Sequence, residues 1–170
     1  LVPLEKGLGL DVTWGVIVAE PAFFALTKRL HNALQGAPLF DVAPDELAAY
    51  LRHNQHVADA IRGKYDIVIV HDPQPAAVQH LARDGRTRWI WRVHIDLSAY
   101  NREAWQFLDE YVHAYDAFVF TMPEFVPEPL DRSRVRCFAP AIDPLSPKNM
   151  PLPDDIRDRI VRWTGVQLDR

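Results

Sequence analysis

The 170 residues contain a single cysteine, Cys137. That excludes an intrachain disulfide framework and any metal cluster built on several thiolates. Cys137 lies in the apolar run Val135-Arg136-Cys137-Phe138, where a buried, inert thiol is expected. Glycine is scarce at seven residues, and neither G-x-G-x-x-G nor G-x-x-x-x-G-K-[ST] nor G-x-S-x-G occurs. Simple dinucleotide, P-loop and α/β-hydrolase readings therefore lose their main support. There is no excess of positive charge: the net charge is −4. That argues against nucleic-acid binding by broad neutralisation of phosphates, leaving only local basic groups such as Lys28, Arg29 and Arg52. No apolar stretch is long enough to span a bilayer, and the N-terminus lacks a signal-peptide layout. No membrane partner is expected, and a reducing cytoplasm is the natural compartment.

What is present is ordinary in amount and unusual in placement. Hydrophobic residues make up 48% and charged residues 25%, enough for one domain with a real core. Eight of the fourteen prolines fall between Pro123 and Pro153, which predicts stiff turns there. The spacing predicts a strand over Asp11–Val18, then a helix from Pro21 stopped at Gly36, and a longer helix from Pro44 to about Arg62. Ile67–Val70 is a continuous apolar run, read as a strand buried on both faces. A short helix over Ala76–Arg83, a strand over Arg88–Val93 and a helix capped by Asn101 follow. Strands at Asp116–Thr121 and Val135–Phe138 flank a short helix or turn over Pro123–Leu130. A terminal helix is expected over Asp154–Thr164 with Gly165 as its stop. Leu1–Gly9 reads as the end of a helix leading into a strand. The alternation predicts an α/β fold, a Rossmann-like parallel sheet with flanking helices.

Two strand ends carry the chemistry. Ile67–Val70 runs straight into His71-Asp72-Pro73-Gln74-Pro75, and the two prolines stiffen the loop. Arg88–Val93 runs into His94-Ile95-Asp96-Leu97-Ser98. In open parallel sheets, ligands bind outside the carboxyl ends of the strands, so two His/Asp pairs on neighbouring strands should face one crevice. An imidazole and a carboxylate there make a sugar or phosphate site. The plainer alternative is that Asp72 caps the next helix and that the histidines are structural. No metal is expected: His53 and His56, at i and i+3, come nearest to a ligand spacing.

Four stretches together resemble a known family. They are Lys28-Arg29-Leu30-His31-Asn32-Ala33-Leu34-Gln35-Gly36, His71–Pro75, Trp91-Arg92-Val93-His94-Ile95-Asp96-Leu97-Ser98, and Pro140-Ala141-Ile142-Asp143-Pro144-Leu145-Ser146-Pro147-Lys148-Asn149. Over roughly residues 12–150 the chain is similar to the trehalose glycosyltransferring synthases, retaining glycosyltransferases of family four with the two-domain GT-B fold. The resemblance implies the reversible reaction of nucleotide-activated glucose with glucose to give α,α-trehalose and a nucleotide diphosphate. It implies that residues 1–150 are a partial N-terminal, acceptor-side domain and that 151–170 lead to a C-terminal donor-binding domain. The family's first strand and glycine-rich loop are expected before Leu1, so the domain is read as truncated and the isolated chain as inactive. The implied partners are glucose or trehalose, with nucleotide-glucose as a co-substrate held by the other domain. No resident cofactor is implied, and a homodimer is left open.

The resemblance also suggests roles. Asp72 is the first choice for holding acceptor hydroxyls, and His94 for the place beside the reacting centre, with His71 orienting the loop or touching sugar. Gln74 and Arg92 offer further hydrogen bonds, although a solvated or structural ion pair is the plainer reading of Arg92. Asp96 orients His94 or caps the following turn. His31 and Asn32 belong to a stretch that faces the cleft in the family; from spacing alone they form a polar helix end. Trp89, Trp91 and Trp105 are read as core. The alternatives are a trehalose phosphorylase and a non-catalytic Rossmann-like module that binds a sugar or a partner domain.

Overall fold

Pro21 and Pro44 each open a helix, because the first helical position needs no N–H donor and accepts the fixed φ of proline. The computed structural model describes residues 2–82, 84–140 and 147–165. Its helices are α1 (Val2–Gly7), α2 (Pro21–Leu34), α3 (Pro44–Ile61), α4 (Val78–Ala82), α5 (Arg102–Val112) and α6 (Asp154–Thr164). Its strands are β1 (Ile67–His71), β2 (Arg88–Arg92), β3 (Ala117–Phe120) and β4 (Val135–Cys137). The chain divides into a larger unit, Gly15–Ala139, and a smaller one formed by Leu1–Trp14 with Pro140–Arg170.

In the larger unit the strands lie in the order β1-β2-β3-β4, and every neighbouring pair is parallel. Side chains alternate between the two faces. Val70, Trp89, Trp91, Phe118 and Phe120 point to one face and are buried in a single core. The helices add Leu30, Ala33 and Leu34 from α2, Ala58 from α3, Val78 from α4, and Trp105, Leu108 and Val112 from α5, and the loops add Val93, Leu97 and Tyr115 among others. Trp89, Trp91 and Trp105 are thus core residues, as their spacing predicts.

The other face departs from expectation. Ile67 is 58% exposed and Ile69 51%, so β1 is not buried on both faces. The reason is the winding. Right-handed crossovers that step the same way through a parallel sheet place their helices on the same side. Both α4 and α5 connect adjacent parallel strands in the same stepping direction, and both pack into the one core.

Asp11–Val18 forms no strand either. Its alternation suits a pleated surface, but a strand needs a ladder partner, and none pairs with it among the described residues. Val16 and Val18 are left exposed. Cys137 is likewise exposed rather than buried. It is the last residue of β4, the strand at the sheet's far edge, where neighbours cover little.

The smaller unit holds α1, a single helical turn at Pro147–Asn149, and α6. α6 keeps the bounds its sequence predicts and stops at Gly165, whose φ of 71° is left-handed. Arg157 bridges Asp154 and Asp158 along it. The Pro140–Asn149 motif lies largely outside the described residues, as does Arg83.

Candidate active site

His71 closes β1 in register with Arg92, the last residue of β2. The chain then turns through Asp72, which has φ 65°. This left-handed conformation is uncommon for a residue with a side chain and least unfavourable for Asn and Asp. Three hydrogen bonds hold it there. The Asp72 N–H donates to the Arg92 carbonyl at 2.9 Å. Its own carbonyl accepts from Trp91 Nε1 at 2.8 Å, and its Oδ1 accepts from the His94 N–H at 2.9 Å. The end of β1 is thereby fastened to the end of β2. Asp72 is no helix cap: α4 begins only at Val78. Asp72 Oδ2 has no partner among the described residues and stays free to accept.

The imidazoles meet beside this turn. His71 Nδ1 and His94 Nε2 are 2.9 Å apart, one donating and the other accepting. The rings lie within 9° of parallel with centroids 5.2 Å apart. His94 is exposed, whereas His71 and Asp72 are half-buried.

The loop after Asp72 is held from within the core. Buried Tyr50 donates its hydroxyl to the Pro73 carbonyl at 3.0 Å. Asn54 Nδ2 donates to the Gln74 carbonyl at 3.3 Å, and buried Tyr115 donates to the Ala76 carbonyl at 2.9 Å. Burial pushes both phenols well above the ordinary tyrosine range, so they remain protonated donors. Sequence reasoning did not single out these supports. The usable signal was that a buried tyrosine hydroxyl must find an acceptor.

The loop after His94 is organised differently. Asp96 Oδ1 accepts from the Ser98 N–H at 2.8 Å, so it stabilises the following turn rather than orienting His94. Asn101 is the N-cap of α5, accepting from the Ala104 N–H at 3.0 Å. Its own N–H donates to the Ala33 carbonyl at 2.9 Å and its Nδ2 to the Pro38 carbonyl at 3.1 Å. These bonds dock the end of α2 against the loop.

That helix end closes in a Schellman arrangement. Gly36 N–H donates to the Ala33 carbonyl and Ala37 N–H to that of Asn32, both at 3.0 Å. Gly36 has φ 99°, and a Cβ there would lie 3.2 Å from the Ala99 oxygen. The stretch from His31 to Gly36 is thus brought to the loop that leaves His94. His31 is half-buried and Asn32 exposed; no hydrogen bond among the described residues joins them to His71, Asp72 or His94.

Arg92 makes no ion pair among the described residues. Its Nη2 donates weakly to the Phe138 carbonyl at 3.4 Å, and its Nη1 is buried without a partner among them. The side-chain amide of Gln74, half-buried in the loop, also lacks a partner among them. Among the described residues, no group of three or more His, Cys, Asp or Glu is arranged to hold a metal ion. No described helix is long and apolar enough to cross a membrane.

A polar cluster therefore lies at the ends of parallel strands β1 and β2, and the end of α2 docks on the loop that follows His94. The family described as "Trehalose synthase, N-terminal domain" matches residues 1–127. The chain belongs to this trehalose synthase N-terminal domain family. It is 44% identical over 176 aligned residues to the trehalose synthase of Rubrobacter xylanophilus, covering 100% of this chain and 42% of that protein. The trehalose synthase of Pyrococcus horikoshii is 42% identical over 153 residues, covering 89% of this chain and 37% of that protein. The Thermococcus litoralis trehalose synthase is 44% identical over the same length, with coverage of 89% and 37%. The chain therefore spans about two fifths of the trehalose synthases it matches. Its parallel α/β sheet is the fold expected of the N-terminal domain of a GT-B glycosyltransferase.

Proposed function

We propose that the full-length protein is a retaining hexosyltransferase that makes α,α-trehalose from nucleotide-activated glucose and glucose, reversibly. This chain is its acceptor-side domain, and residues 151–170 lead toward a donor-binding domain. The observation that carries the reading is the meeting of His71, Asp72 and His94 at the ends of neighbouring parallel strands. Family membership and relatives named trehalose synthase support it.

The roles follow from what each group has left to offer. Asp72 Oδ1 is committed to the His94 backbone, so Oδ2 accepts a hydroxyl of the acceptor glucose. His94, exposed at the strand end, lies beside the reacting sugar. In the transfer, the bond from donor C1 to the phosphate oxygen breaks, and a bond from C1 to the acceptor's anomeric oxygen forms on the same face. The acceptor proton passes to the departing phosphate, so no side chain need act as a general base. The protein contributes positioning and stabilisation of the charge that develops. Nucleotide-glucose is a co-substrate, and no resident cofactor takes part.

The test is an assay of the full-length protein with glucose and each nucleotide-glucose, with trehalose measured by chromatography. Trehalose is expected with at least one donor. Trehalose formed only from glucose 1-phosphate and glucose, with release of inorganic phosphate, would replace this reading with a phosphorylase. The 170-residue chain alone is expected to show no turnover, because half a site loses both affinity and preorganisation.

A further inference from the structure

We infer that His71 is a positioning residue for His94, holding its ring so that Nδ1, rather than Nε2, is the nitrogen offered to the sugar. The inference rests on the trehalose-forming reading above.

His94 lies outside the core: it is exposed and falls two residues beyond the end of β2. Packing therefore does not fix its ring. Two hydrogen bonds do. Asp72 Oδ1 accepts from the backbone N–H at 2.9 Å, and His71 Nδ1 shares a hydrogen bond with the ring Nε2 at 2.9 Å, one donating and the other accepting. The two bonds constrain different things. The first places the Cα, and the second places the ring.

His71 is well suited to this task. It is half-buried and belongs to a strand held in register over five residue pairs with β2. The near-parallel rings, 9° apart, set the plane of His94 as well as its direction. With Nε2 engaged, the ring atom of His94 without a partner among the described residues is Nδ1.

The bond also couples the tautomers. A single proton lies between the two nitrogens. If His71 donates it, His94 carries its own proton on Nδ1 and donates to a sugar hydroxyl oxygen. If His94 donates it, Nδ1 is bare and accepts a hydrogen bond from a sugar hydroxyl. Either way, removing His71 frees both the rotation and the tautomer of His94.

Amide isosteres provide the test in the full-length enzyme. An asparagine amide reaches about as far as a histidine Nδ1, and a glutamine amide about as far as Nε2. His94→Asn should therefore retain more turnover than His94→Gln. His71→Ala should lower kcat roughly 10- to 100-fold, as expected when a reacting group loses its alignment, and leave the KM values for donor and acceptor nearly unchanged. His71→Asn should recover part of the loss, and His71→Gln should not.

Two-bond 1H–15N spectra of the histidine rings give a readout independent of activity. One His94 tautomer is expected in the wild type, and averaged signals in His71→Ala. Wild-type kcat in His71→Ala, or greater turnover in His94→Gln than in His94→Asn, overturns the inference. If His94→Ala turns over like the wild type, the catalytic reading fails instead. The spectra then decide the inference alone: averaging in His71→Ala supports it, and an unchanged spectrum overturns it.

Discussion

The Asp72 carboxylate accepts the backbone N–H of His94 at 2.9 Å across 22 residues of sequence. One oxygen thus builds the site, and its twin is available to fill it. Asp72→Asn separates these tasks. The amide oxygen can still accept from His94, and asparagine tolerates the left-handed turn. The melting temperature should stay close to that of the wild type while the KM for glucose rises and nucleotide-sugar affinity is kept. Asp72→Ala should do more damage. It orphans the His94 N–H at about 1–3 kcal/mol and leaves alanine at φ 65°. Unaltered acceptor kinetics in Asp72→Asn would remove Asp72 from acceptor recognition.

Tyr115 offers a test of the support under the loop. Tyr115→Phe keeps the ring in the core but leaves the Ala76 carbonyl without its donor. A loss of about 1–3 kcal/mol is expected, read as a lower urea midpoint at constant slope. An unchanged midpoint would mean that water replaces the hydroxyl there.

Asp84 should govern part of the acid sensitivity. Its Oδ2 accepts from the Gly63 N–H at 2.8 Å and the Thr87 hydroxyl at 2.7 Å, and its Oδ1 from the Arg86 N–H at 3.0 Å. Hydrogen bonding, led by the Arg86 N–H, draws its carboxyl down to about 2. The folded value lies below the unfolded one, about 3.9. Its stabilisation is therefore present above the unfolded value and is lost as pH falls through the folded one. Asp84→Asn cannot satisfy all three donors, since its amide presents N–H groups of its own. The variant should be less stable at neutral pH and show a shallower loss of stability between about pH 4 and pH 2. An acid-unfolding profile parallel to that of the wild type would place the titration elsewhere.

Gly36→Ala tests the docking of α2. The new Cβ would meet the Ala99 oxygen at 3.2 Å, at a φ of 99°. A left-handed conformation costs a residue with a side chain roughly 1–2 kcal/mol, and the crowding adds to it. Amide exchange should quicken at Asn101, whose N–H is bonded to Ala33 across this junction. Unchanged protection there would show that the loop holds without the helix end.

How much of this was legible in the sequence depends on the reach of each interaction. His71, Asp72 and His94 stood out because polar residues followed β-branched or aromatic runs, and parallel neighbours bring such ends together. Asn101 as a cap and Gly165 as a stop were also legible, since both act within a few residues. The partner of Asp72 was not. Read locally, a carboxylate before Pro73 suggests a helix cap; the hydrogen bond to His94 depends on two strands aligning. Asp11–Val18 failed for the same reason. Alternation describes a surface that suits a sheet, but pairing requires a neighbour that local sequence does not reveal. Ile67 and Ile69 were assigned to the interior because hydrophobicity gives no information about which way the crossovers wind. For Arg92 the sequence allows a sugar contact, a solvated side chain or an ion pair; its described contact is with a backbone carbonyl.

The uncovered side of β1 bears on how this polypeptide must be handled. Ile67 and Ile69 are solvated, and β1 ends the sheet with one edge unpaired among the described residues. An apolar strand of this kind is a template for another chain. Made alone, the stretch should associate through this border as its concentration rises. Ile69→Lys is the practical remedy. It places a charge on the solvated side, away from the packed core and several residues from Asp72, and should keep dilute and concentrated samples alike.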